Sequence, residues 1–165
     1  SAAVGADLVA AEPAEDGESM KPKEFFNRLD DAQVAEAIHQ AEAQTSGEIR
    51  VFVTRHALGK RDVLDEAARC FEKLKMAETD ARNGVLLYFA PRDQRFAILG
   101  DCGIDEKCGS EFWNAIAAEL HRELAEGHFT EAVVAAIQRT GIALAEHFPR
   151  LPDDQNELPD SVKRD

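Results

Sequence analysis

Apolar residues recur every three to four positions through Val34, Ile38 and Ala41, the spacing of one helix face, and Asp30 or Asp31 stands where a side-chain cap is needed. Thr45-Ser46-Gly47 ends that helix. Ile49, Val51 and Val53 then alternate with Arg50, Phe52 and Thr54, which predicts a strand with one well-buried face. Asp62 caps a second helix with Val63, Leu64, Ala67, Ala68, Phe71 and Leu74 on one stripe. Residues 85–90 are apolar throughout and predict a central strand covered on both faces. Pro91-Arg92-Asp93-Gln94 has turn chemistry, and residues 95–99 return as a third strand, closing a hairpin. The preceding strand–helix–strand unit reads as a right-handed crossover between parallel strands.

Residues 100–109 read as a loop. Ser110 can cap a helix presenting Phe112, Trp113, Ile116, Ala117, Leu120 and Leu124, and Gly127 breaks it. Thr130 is the expected cap of a last helix, with Val133, Ile137, Gly141, Leu144 and Phe148 on one face and Pro149 as its stop. The pattern predicts an α/β fold: a small mixed β-sheet sandwiched between α-helices, in a single domain.

Charge sharpens the boundaries. The 165 residues carry a formal charge of −13, and residues 1–19 hold five acidic and no basic side chains. Residues 151–165 add a net −3 and recurrent proline. Segments this acidic and this poor in patterned apolar residues bury too little surface to offset their ordering entropy. Residues 1–24 and 151–165 are therefore expected as flexible acidic ends around a folded domain at 25–150. The leader lacks the basic start and apolar stretch of a secretory signal, and Met20 has the look of a native translation start behind it. No apolar run reaches the roughly 18 residues of a membrane span, so a cytoplasmic location is expected. Nucleic acid is excluded as a partner, because phosphate binding needs clustered Lys and Arg.

Catalytic signatures are missing: no phosphate-binding loop ends in Gly-Lys-Ser/Thr, and no Gly-x-Ser-x-Gly elbow occurs. Three cysteines, Cys70, Cys102 and Cys108, form no CxxC pair and no even-numbered disulfide framework. Cys70 lies on an apolar stripe and reads as a core thiol; Cys102 and Cys108 flank the expected loop, where oxidation could pair them. The five histidines show no i, i+4 pair and read as non-ligands, His147 complementing a helix C-terminus. Gly100-Asp101-Cys102-Gly103-Ile104-Asp105-Glu106 offers three carboxylates on a glycine-bearing turn. Two readings stay open there: calcium or magnesium held by Asp101 and Asp105, or a helix start capped by its own acids.

Three segments in order, Thr45-Ser46-Gly47-Glu48-Ile49-Arg50-Val51, Arg82-Asn83-Gly84-Val85-Leu86-Leu87 and Phe96-Ala97-Ile98-Leu99-Gly100-Asp101-Cys102-Gly103-Ile104, resemble the TPM domain family. The family is named for a thylakoid lumen protein, a photosystem II assembly protein and a modulator of acetylcholine receptors. The similarity covers roughly residues 25–150 and implies an α/β sandwich. It also implies one of several activities, since members are described as acid phosphatases, calcium binders or accessory factors of membrane-protein complexes. Many carry a signal peptide and a transmembrane tail; this sequence shows neither and looks closer to a short, soluble bacterial branch. Two departures stand out. Arg82 occupies a position where the family has Asp, and Cys102-Gly103-Ile104-Asp105 stands where it tends to Tyr-Gly-Leu-Glu.

The resemblance places a binding cleft at Glu48, Arg82, Asn83, Gly100, Asp101, Gly103 and Asp105, with Arg82 and Asp101 as an ion pair. It implies a non-catalytic binding or assembly module, with a protein partner, acting on a membrane-protein complex from the cytosolic side. The alternative is a metal-dependent, acid-phosphatase-like phosphohydrolase. There, calcium or magnesium on Asp101, Asp105 and Glu48 activates a water, and Arg82 steadies the phosphate.

Overall fold

A computed structural model describes residues 8–11, 22–152 and 161–165. The elements in chain order are β1 (Leu8–Ala11), α1 (Pro22–Arg28), α2 (Asp31–Glu42), β2 (Glu48–Val53), α3 (Val63–Lys73) and β3 (Gly84–Ala90). A short 3-10 turn over Pro91–Asp93 leads to β4 (Arg95–Gly100), α4 (Cys102–Ala125), α5 (Phe129–His147) and β5 (Lys163–Arg164).

The strands order as β1-β4-β3-β2-β5 in one mixed sheet. β2 and β3 run parallel with Glu48 opposite Gly84, and β3 and β4 form the antiparallel hairpin with Val85 opposite Gly100. All seven residues of β3 are buried, as an unbroken apolar run requires. Its alternation divides the core in two. Val85, Leu87 and Phe89 join Ile49, Val51, Val53 and Ile98 beneath α1, α2, α4 and α5. Leu86, Tyr88 and Ala90 meet Ala67, Cys70 and Phe71 of α3 on the other face. The sandwich expected from the sequence is the one formed.

Caps act where the residue types call for them. The Asp30 carboxylate accepts from Gln33 N at 3.0 Å, and Asp62 accepts from Leu64 N at 2.8 Å; each such cap contributes about 1 kcal/mol. Thr130 does not cap α5, which starts one residue earlier. Its hydroxyl instead accepts from Asp30 N at 3.0 Å, tying α5 to the start of α2. A tertiary bond took this acceptor oxygen away from its local role.

Three further expectations change. The segment 100–109 is helical from Cys102 onward, because Asp101 N-caps α4, accepting from Cys102 N at 2.7 Å. Gly109, at φ 75°, kinks α4 rather than closing a loop. Parts of both acidic ends also belong to the sheet. Leu8–Ala11 pairs with β4, and Lys163–Arg164 pairs with β2. The Asp165 carboxylate accepts from Thr54 Oγ1 and Arg55 N, each at 2.8 Å, and Arg164 reaches Asp31 at 2.6 Å. The acidic residues around Leu8–Ala11 and the charges of Lys163–Arg164 hid these short edge strands, since edge pairing needs only backbone groups. Pro22, Lys23 and Glu24, also expected in the flexible leader, open α1 instead, and residues 1–7, 12–21 and 153–160 lie outside the described residues. Among those described, no helix is long and apolar enough to cross a membrane.

Candidate functional site

The site grows from the rim where β2 and β3 begin and β4 ends. Asp101 N donates to Gly84 O at 2.9 Å and Glu48 N to Asn83 O at 3.4 Å, so backbone pairing brings three chain segments to one edge. The turn before β3 puts Arg82 at φ 52°, a left-handed conformation costing a non-glycine residue roughly 1–2 kcal/mol. That strain is held by specific contacts. Gly103 N donates to Arg82 O at 2.8 Å, and Asn83 N donates to Thr79 Oγ1 at 3.2 Å.

Gly103 must be glycine here. A Cβ would lie 2.1 Å from Ala81 O and 2.5 Å from Arg82 O, so only a bare backbone lets α4 seat against this turn. With α4 seated, Arg82 reaches Asp101 in a two-pronged fork: Nε to Oδ2 at 2.7 Å and Nη2 to Oδ1 at 2.9 Å. Asp101 is fully buried while the Arg82 side chain is 37% exposed. The bonds and charge of Asp101 hold the Arg82 guanidinium above its ordinary pKa.

Asn83 and Glu48 are also buried. Asn83 Nδ2 donates to Ser46 Oγ at 3.2 Å, whereas its Oδ1 has no hydrogen-bond partner. An orphaned buried carbonyl is uncommon and marks a place where an incoming donor would be welcome. Gly100 lies against the Trp113 ring, which a Cβ there would meet at 2.6 Å. Asp105 lies one turn into α4 and is turned inward, accepting from Trp113 Nε1 at 3.1 Å.

Glu48, Arg82, Asn83, Gly100, Asp101 and Gly103 thus share one rim, and the expected Arg82–Asp101 pair is present. The oxygen cage of the metal reading is not assembled. Both Asp101 oxygens face the guanidinium and Asp105 faces an indole, so Asp101, Asp105 and Glu48 do not gather as ligands. A hard divalent cation wants about six or more oxygens on an adaptable turn, and these residues do not fit one.

Among the described residues, the side chains that do gather are Glu123, Glu126 and His128, at the far end of α4. Sequence reading passed over them, because Glu123 and Glu126 at i, i+3 read as an ordinary solvated face and His128 joins them only through the turn at Gly127. The apolar groove between α2 and α5 is a further feature the sequence did not announce. It is lined by Ala37, Gln40, Ala41, Gln138, Gly141 and Ile142, none of them a rim residue.

The TPM domain family matches residues 19–142 of the chain. Among solved structures, the NMR structure of BA42 protein from the psychrophilic bacterium Bizionia argentinensis is similar, at 36% identity and a TM-score of 0.75. That match covers 84% of this chain and 96% of the other. No curated protein matches.

Proposed function

The chain belongs to the TPM domain family, and from that premise we propose that it is a non-catalytic binding or accessory module whose rim at Arg82, Asn83 and Asp101 recognises a protein partner. The observation that carries this reading is the Arg82–Asp101 fork. A guanidinium already fills the place a divalent cation would take on Asp101, and the buried charge is satisfied from within. What remains open to a partner is the exposed face of Arg82, with Asn83 buried beneath it. A guanidinium there suits carbonyls and carboxylates of another chain. The apolar groove beside Ile142, which is 71% exposed, supports protein recognition further. The metal-dependent phosphohydrolase reading loses support, since no oxygen cluster at the rim could lower the pKa of a bound water.

The test is capture of a partner by the full chain from a lysate of its source organism, compared with Arg82→Glu and Asn83→Leu. Both variants should keep the wild-type circular dichroism spectrum and lose the captured protein. Equal capture by all three would remove the rim from the binding role. Phosphate-ester turnover that rises with calcium or magnesium and disappears in Asp105→Ala would instead favour the hydrolase.

A further inference from the structure

The corner between α4 and α5 carries a second constellation, independent of the rim. Gly127 at φ 83° turns the chain, with Gly127 N donating to Leu124 O at 3.1 Å and His128 N donating to Glu123 O at 3.0 Å. Leu124 and Phe129 are buried on either side and pin the turn. The His128 ring is thereby folded back over the last turn of α4. Its Nδ1 lies 2.9 Å from Glu123 Oε2 and 3.5 Å from Glu126 Oε2. One ligand atom from each of the three residues lies within 4.8 Å of the others.

We propose that Glu123, Glu126 and His128 form a binding site for a divalent transition metal, with zinc the ion they suit best. The geometry decides for a small ion. Bonds of about 2.0 Å in a tetrahedral zinc site place neighbouring ligand atoms roughly 3.3 Å apart, and the two Nδ1–carboxylate separations bracket that value. The ion takes the place of the proton now shared between Nδ1 and Glu123, so binding needs little movement and releases that proton. The chemistry decides for a transition metal. An imidazole nitrogen beside two carboxylates is a borderline donor set, whereas calcium and magnesium take oxygens in greater number. Three protein ligands leave a fourth position for water. Surrounding charge is balanced, with Glu131 of α5 near the cluster, Arg122 3.6 Å from Glu123, and Arg28 near Gly127 but paired with Glu24 at 3.7 Å, so the two Glu ligands supply the attraction.

The test is calorimetric titration of zinc into the tag-free full chain in mildly alkaline buffer, beside His128→Ala, Glu123→Gln and a control, His56→Ala. One zinc per chain should bind to the wild type and the control. Loss of a direct ligand should weaken binding by about tenfold or more in the other two variants. All three substituted positions are exposed or half exposed, so the variants should melt with the parent in the absence of metal. Imidazole nitrogen shifts of His128 on zinc addition would give the same answer by spectroscopy. Absent wild-type binding, equal binding by His128→Ala, or binding abolished by blocking the cysteines would each overturn the site.

Discussion

A double-mutant cycle on Arg82 and Asp101 tests the central contact directly. Asp101→Asn keeps the α4 cap, since Asn and Asp cap comparably, and turns an amide group toward the guanidinium. Arg82→Ala keeps a Cβ on the left-handed backbone, so the strain at φ 52° cancels against wild type and only the fork is lost. A hydrogen bond to a charged group contributes about 1.5–3 kcal/mol when sheltered, and an exposed ion pair about 0–1 kcal/mol. Asp101 is fully buried but Arg82 is 37% exposed, which puts each single substitution near 2 kcal/mol and the coupling between them at about 1–2 kcal/mol. For a chain of this length, about 2 kcal/mol lowers the melting temperature by about 4–8 °C. The assay is urea unfolding followed by Trp113 fluorescence, the chain holding one tryptophan and that one fully buried. Arg82→Gly should exceed Arg82→Ala in stability by about 1 kcal/mol, because glycine accepts the left-handed turn. A coupling energy within about 0.3 kcal/mol of zero would refute the reasoning and reduce the fork to a surface contact.

Other outcomes follow from the same coordinates. Gly103→Ala should destabilise by about 3 kcal/mol, because its Cβ meets backbone oxygens, whereas Gly59→Ala, with open space and φ 63°, should lose about 1 kcal/mol; thermal melts compare them. Burial pushes the Cys70 thiol up to about 12 from an ordinary 9.0, so the unfolded chain gives up its proton first. Stability should therefore fall as pH rises from about 9 towards 12, and more gently in Cys70→Ala, read by urea unfolding across that range. Burial raises the Tyr88 hydroxyl in the same direction and adds to the alkaline decline. Deleting residues 162–165 removes the β5 pairing and the Asp165 contacts to Thr54 and Arg55, and should lower the melting temperature by several degrees. An unchanged melt would show that the sheet edge does not depend on this segment.

Much of the architecture was legible because burial imposes periodicity. Residues 85–90 had to be a central strand, since no other element hides six consecutive apolar side chains between helices. The Asp30 and Asp62 caps were legible for a local reason, as each bond spans two or three residues. Thr130 misled for the opposite reason: its partner, Asp30, lies 100 residues away. The edge strands Leu8–Ala11 and Lys163–Arg164 escaped notice because the first is only four residues between acidic neighbours and the second is two charged residues, too short for a periodic pattern.

The amino-acid order by itself determined the strand and helix alternation and the two-faced core, because apolar spacing and caps act over a few residues, while the grouping of Arg82, Asn83 and Asp101 was implied only by the family resemblance. Only the tertiary structure decided what those side chains do. It turned Asp105 onto Trp113 and closed both Asp101 oxygens on Arg82 across 19 residues of sequence. It also folded His128 back onto Glu123 and Glu126. Charge satisfaction depends on distances through space, and those are set by how α4 seats against the sheet.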